Sequence, residues 1–384
     1  MSEIRPFRIA IPQADLDDLA QRLANTRSEA PFDELVGNAD LELPVQLSWD
    51  YRGPRSYVQP LLEYWRDRFD WRAQEQRLNS FPQFTTEIDG QNIHFVHLRS
   101  PEPDATPLLL VHGWPSSFTE FLGLIDELTD PRTHGGDPAH AFHVVIPSYP
   151  GFAFSKPADR AGWHPVRVAA IFNGLMARLG YDRFGVHGND GGAIVAPEMG
   201  RLAPDKVIGV HVDQIFSFAK GEPDELNGLS EFELKLMGFG QQFLKNAIHD
   251  SAWRAQRQAI GRARTDSPAT LIAWSGQPTW SGQVLTDSMT PDELLTNISI
   301  YWFTSTAAPS ARFSFETSDA DAPTTVPIGL ASFGYDFTPP RKFAERDHAN
   351  IVQWNKYEIG GHWAAHEVPD LLLDDIRGFF AKVH

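Results

Sequence analysis

The most constraining feature of this sequence is a short polar turn, GNDGG at 188–192, between two apolar segments. The residues from Phe184 onward read as a buried strand, and residues 193–196 begin a helix of small apolar side chains that Pro204 ends. A chain that passes so quickly from strand to helix must bend sharply, and glycine neighbours remove Cβ atoms that would collide there. The pattern therefore predicts a tight turn that presents Asp190 at the end of a strand.

Strands and helices alternate around this turn. Besides the strand before Asp190, apolar runs predict strands at 107–112, 142–151, 207–213, 325–334 and 351–361, and periodicity predicts helices at 116–128, 166–180 and 368–383. Such alternation is typical of an α/β fold with a mostly parallel sheet, right-handed crossovers and helices on both faces. Ligands of these sheets bind at the carboxyl ends of the strands.

Two regions depart from the alternation. Residues 1–100 combine a short extended arm, helical stretches and a hairpin signal at Asp89-Gly90, and we expect an N-terminal segment that wraps the core. Residues 215–318 are mainly helical and rich in large apolar side chains, which predicts a helical lid inserted over the carboxyl edge of the sheet. The remaining residues, 101–214 and 319–384, are the predicted core.

Composition limits the partners. The 384 residues carry a net charge of −17 without a Lys/Arg run, so neither nucleic acid nor an anionic membrane is an expected partner. The absence of cysteine excludes disulfides, thiol catalysis and cysteine metal sites. No apolar run approaches 18 residues, and the first residues are too charged for a signal peptide. We expect a cytoplasmic protein without cofactor or metal, and leave a homodimer open.

Three candidate catalytic side chains fall where independently predicted strands end. Asp190 lies in the turn, Asp336 follows the strand that reaches Phe333, and His362 follows Gly360-Gly361. An aspartate between glycines is by itself more typical of an ordinary turn, but the joint placement of the three groups favours a triad. Glu345 and Asp347 are rival acids that lie further from the strand end.

The residue types indicate a chemistry. A carboxylate such as Asp190 forms an alkyl ester when it attacks an sp3 carbon, as in an epoxide or an alkyl halide. His362 would then activate the water that cleaves this ester, and Asp336 would hold the imidazole tautomer. The segment HGWP at 112–115 predicts that the Trp114 amide, together with the Gly191 amide, forms an oxyanion hole. With no serine at the turn, a serine esterase is not expected.

These features resemble the α/β-hydrolases, in which aspartate here replaces the usual serine of the nucleophile turn. Within that fold, the chain is similar over nearly its whole length to the epoxide hydrolases of the microsomal type, including their N-terminal domain. The matching segments are PFRIAIPQADLDDLAQRLANTR, FPQFTTEIDGQNIHFVHLRSP, LLLVHGWPSSFTEF, IPSYPGFAFS, HGNDGGA, LLTNISIYWFTST, VPIGLASFGYDF and GGHWAAHEVPDLL. The resemblance implies that Asp190 is the nucleophile, Asp336 the charge-relay acid and His362 the base. The membrane anchor of the animal enzymes has no counterpart that we recognise in this sequence.

The lid departs from that family. Its members use two lid tyrosines to bind the epoxide oxygen and donate a proton, but this chain has Ser314 at one matching position and no tyrosine in the segment before Thr265. Tyr301 is left as a candidate donor, although the resemblance favours a packing role for it. Expected substrate-binding residues, for a bulky apolar epoxide, are Trp114, Trp302, Phe152, His249, Trp253 and Ser314.

Two other functions stay open at this point. A dehalogenase could use the same three catalytic groups, with the Trp114 indole on the halide, although Gly191 offers no donor side chain beside the nucleophile. A non-hydrolytic binding protein derived from the same fold would fit the missing tyrosines.

Overall fold

The computed structural model describes residues 3–27, 55–155, 162–231, 233–235, 237–238, 263–275, 288–311, 322–334 and 336–383. Within these ranges, the strands form one sheet in the order β1-β2-β3-β5-β4-β6-β7-β8-β9. The strands are β1 Arg5–Phe7, β2 Gln83–Ile88, β3 Gln91–Leu98, β4 Thr106–Val111, β5 Phe142–Pro147, β6 Phe184–Gly188, β7 Val207–Val212, β8 Ile328–Ser332 and β9 Ile351–Lys356. Strands β4 to β9 pair in parallel, so the predicted α/β fold with a mostly parallel sheet is confirmed.

The N-terminal strands extend this sheet on one side. Strands β2 and β3 form the predicted hairpin, with positive φ angles of 51° at Asp89 and 76° at Gly90, and β1 pairs with β2. Because β3 pairs antiparallel with β5, the sheet continues across the boundary that we predicted near residue 100. The division of the chain into three regions stays a prediction.

The helices cover both faces of the sheet, as the alternation predicts. Helices α5 and α6 pack on one face, and α4 and α12 pack on the other. The α-helices whose bounds the structure gives are α1 Gln13–Ala24, α2 Arg55–Asp67, α3 Trp71–Leu78, α4 Ile125–Thr129, α5 Pro165–Arg178, α6 Gly191–Leu202, α7 Pro268–Ser275, α8 Pro291–Thr304, α9 Ala307–Ser310, α10 Arg341–Asp347, α11 Ala364–Glu367 and α12 Pro369–Val383. None of them has both the length and the apolar character that crossing a membrane would need.

One predicted helix differs from the structure. We expected a single α-helix over 116–128, but Phe118–Leu124 forms a 3-10 helix that begins after the Ser117 cap and leads into α4. Glu120 in this 3-10 helix accepts a hydrogen bond from the backbone of Gly113, outside the helix. A periodic pattern of apolar residues gives no indication of this contact between a side chain and a backbone amide, which is why the sequence predicted an α-helix.

The N-terminal helices contact the helices of the predicted lid. Arg22 in α1 pairs with Asp266 at 2.6 Å, and the Tyr64 hydroxyl in α2 donates to the Asp292 carboxylate at 3.0 Å. These contacts connect residues of the wrapping segment to Asp266, just before α7, and to Asp292 in α8. Trp274 of α7 and Tyr301 of α8 in turn contact Trp114 and the Ser116 carbonyl, near the turn at Asp190.

Candidate active site

The predicted sharp turn lies between β6 and α6. Asp190 has φ 51° and ψ −113°, a backbone conformation that side-chain-bearing residues rarely adopt. The glycines around it are required by space: a Cβ at Gly192 would lie 1.9 Å from the Val111 oxygen, and one at Gly188 would lie 2.3 Å from the Gly192 oxygen. The turn therefore holds Asp190 in a strained geometry at the carboxyl end of β6, where its side chain leaves the sheet.

The Asp190 carboxylate has a different environment at each oxygen. Oδ1 accepts a hydrogen bond from the Trp114 amide at 2.9 Å, while Oδ2 lies 3.5 Å from His362 Nε2. Burial raises the pKa of Asp190, but His362 and the amides of Trp114 and Gly191 outweigh it, so that the pKa falls below its usual value. The side chain is 28% exposed, which makes it the accessible member of this cluster. The carboxylate is thus ionised, and its Oδ2 faces His362.

His362 connects two carboxylates. Its Nδ1 lies 3.0 Å from both oxygens of Asp336, and its Nε2 faces Asp190. Burial lowers the pKa of His362, but the charges and hydrogen bonds of Asp336 and Asp190 raise it well above its usual value. The structure therefore brings together the three side chains that the strand ends indicated.

The rival acids lie in other contacts. Asp347 pairs with Arg346 at 2.7 Å, and Glu345 pairs with Arg341 at 2.8 Å, both in or next to α10. Asp336, in contrast, is buried against the imidazole. The contacts thus favour Asp336 as the acid that orients His362.

Sequence reasoning missed three buried side chains that surround these groups. Glu120 accepts from Asn189 Nδ2 at 2.7 Å, and the same amide donates to the His362 carbonyl at 2.9 Å. Gln214 accepts from the Asp190 backbone amide at 2.7 Å and donates to the carboxylate of Asp336. Gln214 lies just after β7, and that strand-end position was the one available signal. Glu120 sits inside a helical pattern that gave no sign of its role.

Tyr301 lies near the turn but its hydroxyl is engaged. The hydroxyl donates to the Ser116 carbonyl at 2.6 Å, and the side chain is buried in α8. The Phe152 ring lies 6.4 Å from the Tyr301 ring, which places this predicted substrate-binding residue beside it. Tyr301 thus fastens the lid helix to the loop after Trp114.

The other predicted binding residues are distributed differently. The Trp114 indole donates to Ser310 Oγ at 3.1 Å, and its ring lies 5.0 Å from that of Trp274 in α7. Trp302 lies against the Arg22 guanidinium of α1, 5.6 Å from ring centre to cation. Because one helix position turns a side chain by about 100°, Trp302 and Tyr301 cannot face the same partner. His249, Trp253 and Ser314 lie outside the described residues.

One group of buried side chains in the described ranges has the residue types of a metal site. His187, His211 and Asp213 lie close together at β6 and β7. However, His211 Nε2 is 2.8 Å from Asp375, whose pKa is about 2 because hydrogen bonds and the charge of His211 outweigh burial. His211 therefore donates from Nε2, and a hydrogen bond of 2.9 Å joins its Nδ1 to His187 Nδ1, whichever of these two atoms is the donor. Both Nδ1 atoms are thus committed to a hydrogen bond, which favours a histidine pair over a metal centre.

Comparison with known proteins places this geometry among characterised families. Residues 4–121 match the family described as epoxide hydrolase N terminus, and residues 106–279 match the alpha/beta hydrolase fold. Epoxide hydrolase 1 of Sus scrofa is 32% identical over 412 residues, covering 98% of this chain and 88% of that protein. Two solved structures cover 100% of the chain. Juvenile hormone epoxide hydrolase from Bombyx mori is 27% identical with a TM-score of 0.79 over 94% of its length, and Aspergillus niger epoxide hydrolase is 28% identical with 0.79 over 97%.

Proposed function

The chain belongs to the epoxide hydrolase family, and we propose that it opens an epoxide to a vicinal diol through an ester on Asp190. One observation carries this assignment. The Asp190 carboxylate is held at Oδ1 by the Trp114 amide, while Oδ2 faces the imidazole that Asp336 orients. That arrangement provides a nucleophile, a base and an orienting acid in hydrogen-bond reach of one another.

In the first step, Asp190 Oδ2 attacks an epoxide carbon. A C–O bond of the ring breaks as the ester bond forms, and the ring oxygen takes up one proton from an acid. The ordinary pKa of a carboxylate allows this attack without a base, and the lowered pKa of Asp190 keeps the nucleophile ionised. The resemblance would place the acid in the lid, at the position of Ser314 and in the segment before Thr265.

In the second step, His362 Nε2 takes a proton from water, and the hydroxide attacks Cγ of Asp190. The Cγ–Oδ2 bond breaks, so that Oδ2 leaves with the diol. Oδ1 carries the negative charge of the intermediate, where the amides of Trp114 and Gly191 stabilise it. Oδ2 leaves as an alkoxide and takes the remaining proton of the attacking water from the new Asp190 carboxyl, which restores the carboxylate. Overall, one water is consumed per epoxide: one of its protons ends on Oδ2 of the diol, and the other, held by His362, replaces the proton that the acid gave to the ring oxygen.

The two steps are coupled through the charge of Asp190. Both Asp190 and Asp336 raise the pKa of His362. When Asp190 becomes a neutral ester, one of these charges disappears and the pKa of His362 falls towards the range in which the imidazole is neutral. The base is therefore released by formation of the intermediate that it must hydrolyse.

We assign Tyr301 to anchoring rather than proton donation. The Tyr301 hydroxyl already donates a hydrogen bond to the Ser116 carbonyl, and burial raises the pKa of this hydroxyl well above its usual value. The rings of Trp114, Trp274 and Phe152 near this residue support a bulky apolar substrate. The net charge of −17 argues against a nucleic-acid partner, and the cytoplasmic location and the homodimer stay predictions.

The dehalogenase alternative receives less support from the contacts. The Trp114 indole, the donor that would have to hold a halide, already donates to Ser310 Oγ. The arrangement of nucleophile, base and acid likewise favours turnover over simple binding.

A panel of epoxides with detection of diols tests the proposal, with haloalkanes and detection of halide in parallel. We expect diol formation from bulky apolar epoxides and no halide release. An Asp190→Asn variant that folds normally should form no diol. Halide release would favour the dehalogenase, and binding without product from every compound would favour a binding protein.

A further inference from the structure

Glu120 is a buried acid next to the site for which the mechanism above has no task. It lies in the 3-10 helix Phe118–Leu124, and 1% of its surface is exposed. Its two carboxylate oxygens accept different donors: Oε2 accepts from the Gly113 amide at 3.0 Å, and Oε1 accepts from Asn189 Nδ2 at 2.7 Å. A buried carboxylate that makes two specific hydrogen bonds costs desolvation, so its retention in the fold needs an explanation.

Each donor leads directly to a reacting group. Gly113 precedes Trp114, whose amide holds Asp190 Oδ1 at 2.9 Å. Asn189 precedes Asp190 and also donates to the His362 carbonyl at 2.9 Å. Glu120 is therefore hydrogen-bonded on one side to the loop that carries the oxyanion-hole amide. On the other side it is hydrogen-bonded to Asn189, which adjoins the nucleophile in sequence and contacts the base.

The carboxylate form is the one that suits both contacts. Each partner is a donor, whereas a protonated carboxyl or an amide would direct a hydrogen at one of them. The titratable groups that face Glu120 are His362 after β9, Asp213 after β7, Tyr149 after β5 and Tyr301 in α8. Burial raises the pKa of Glu120 to about 7, although the Gly113 amide, Asn189 and His362 each act to lower it.

We propose that Glu120 is a positioning residue for ring opening, which as a carboxylate fixes the Trp114 amide and the Asn189–His362 contact, and which weakens both when it becomes protonated. This inference rests on the proposed function, since it concerns the ester-forming step at Asp190. Because Glu120 gains a proton as the pH falls through about 7, the rate of ester formation falls over the same range.

The test separates ester formation from the titration of His362. In a His362→Gln background the ester accumulates, and its rate of formation is measured by quenched flow from pH 5 to 9. We expect a rate that declines below about pH 7, or somewhat higher, because removal of His362 takes away a charge that lowers the pKa of Glu120. Adding Glu120→Gln should slow the alkaline rate by about 10²-fold, the usual cost of a small misplacement, and abolish the decline.

Two further variants separate positioning from folding. Glu120→Asp keeps the charge on a shorter side chain, so it should lower the rate but retain the decline. The matched control is Glu75→Gln, since Glu75 in α3 is also buried and accepts a backbone hydrogen bond, from the Ile11 amide at 2.7 Å, far along the chain from the site. It should lower the melting temperature and leave both the rate and its pH dependence unchanged.

The outcomes are distinct. If the rate of ester formation still declines with falling pH, and with the same midpoint, in the Glu120→Gln background, the decline belongs to Asp190. That result would overturn the inference, while the proposed function would stand. Alkaline rates unaffected by both Glu120 substitutions would overturn it as well. If the wild-type chain forms no ester or diol from any epoxide, the result contradicts the proposed function itself, on which the inference about Glu120 rests.

Discussion

Two clusters of histidine and aspartate lie at this sheet, and the pKa of His362 in one shifts in the opposite direction from that of His187 in the other. In the open cluster, the carboxylates of Asp336 and Asp190 lie on either side of His362 and raise its pKa well above the usual value. In the closed cluster, His187 and His211 pair across β6 and β7 with both rings fully buried. There, burial and the neighbouring His211 lower the pKa of His187 well below the usual value.

The difference shows that burial alone does not decide how a histidine behaves. His362 is nearly as buried as His187, but the side chains of Asp336 and Asp190 face it and raise its pKa, so the charged form is favoured. His187 Nε2 lies 3.8 Å from Asp213, and burial raises the pKa of that carboxyl, which favours its neutral form. A base that must gain and lose a proton is found where charges compensate burial, whereas the histidines of the closed cluster are held in a fixed hydrogen-bonded pair.

The largest expected effect concerns the imidazole of each cluster. His362→Gln should leave ester formation intact but slow ester hydrolysis by on the order of 10⁴-fold or more, the scale for loss of a base in a triad. Rapid quench and mass measurement of the protein should therefore detect one alkyl group per chain. The matched change His187→Gln should lower stability and leave turnover within a few-fold. Equal losses of turnover in His362→Gln and His187→Gln would contradict the division into a catalytic open cluster and a structural closed cluster.

A somewhat smaller effect is expected for the acid that orients His362. Asp336→Asn should slow hydrolysis by about 10³- to 10⁴-fold, because the amide no longer compensates the imidazolium and can impose the wrong tautomer. Its ester-forming step should change far less. Single-turnover kinetics resolves the two steps. If ester formation falls as much as hydrolysis does, Asp336 acts on more than the base.

The corresponding acid of the closed cluster should affect stability instead. Asp375 accepts hydrogen bonds from His211, Gln353 and Asn355, so Asp375→Asn places an amide against several donors. We expect a loss of about 3–5 kcal/mol in the free energy of unfolding, as for breaking a buried pair, measured by urea titration. The folded fraction should retain its turnover rate. A stable variant with low turnover would connect this cluster to catalysis.

Much of the open cluster could be predicted from the sequence because it depends on where strands end. Asp190, Asp336 and His362 each follow a strand, and parallel strands bring their carboxyl ends to one edge. Glu120 could not be found that way, and neither could its contact with Asn189, since their hydrogen bond joins residues 69 positions apart and depends on the tight turn and a 3-10 helix. The histidine pair likewise depends on the register of β6 and β7, which residue types do not reveal.

The predicted lid shows a second limit of sequence reasoning. Helical residues such as Tyr301 and Trp302 are neighbours in sequence, but one contacts the loop of the site and the other contacts Arg22 in α1. An aromatic run predicts burial without telling which partner covers each ring.

The smallest expected effect concerns the contact between the Tyr301 hydroxyl and the Ser116 carbonyl. Tyr301→Phe removes the hydrogen bond to the Ser116 carbonyl and should cost about 1 kcal/mol of stability. Since the hydroxyl is committed to this bond, we expect the rate of ester formation to change by less than about 10-fold. The matched control is Tyr64→Phe, which removes the hydroxyl contact to Asp292 elsewhere in the fold. A drop of about 10²-fold, the scale of general acid catalysis, would instead make Tyr301 the proton donor.

The most direct test of the account is a single turnover in water enriched in heavy oxygen, with enzyme in excess over epoxide. Because Oδ2 of Asp190 leaves with the diol and water oxygen replaces it, the first diol should carry no label. The peptide that contains Asp190 should gain one heavy oxygen. A labelled diol with an unlabelled Asp190 peptide would show that water attacks the epoxide directly, and would contradict the ester at Asp190.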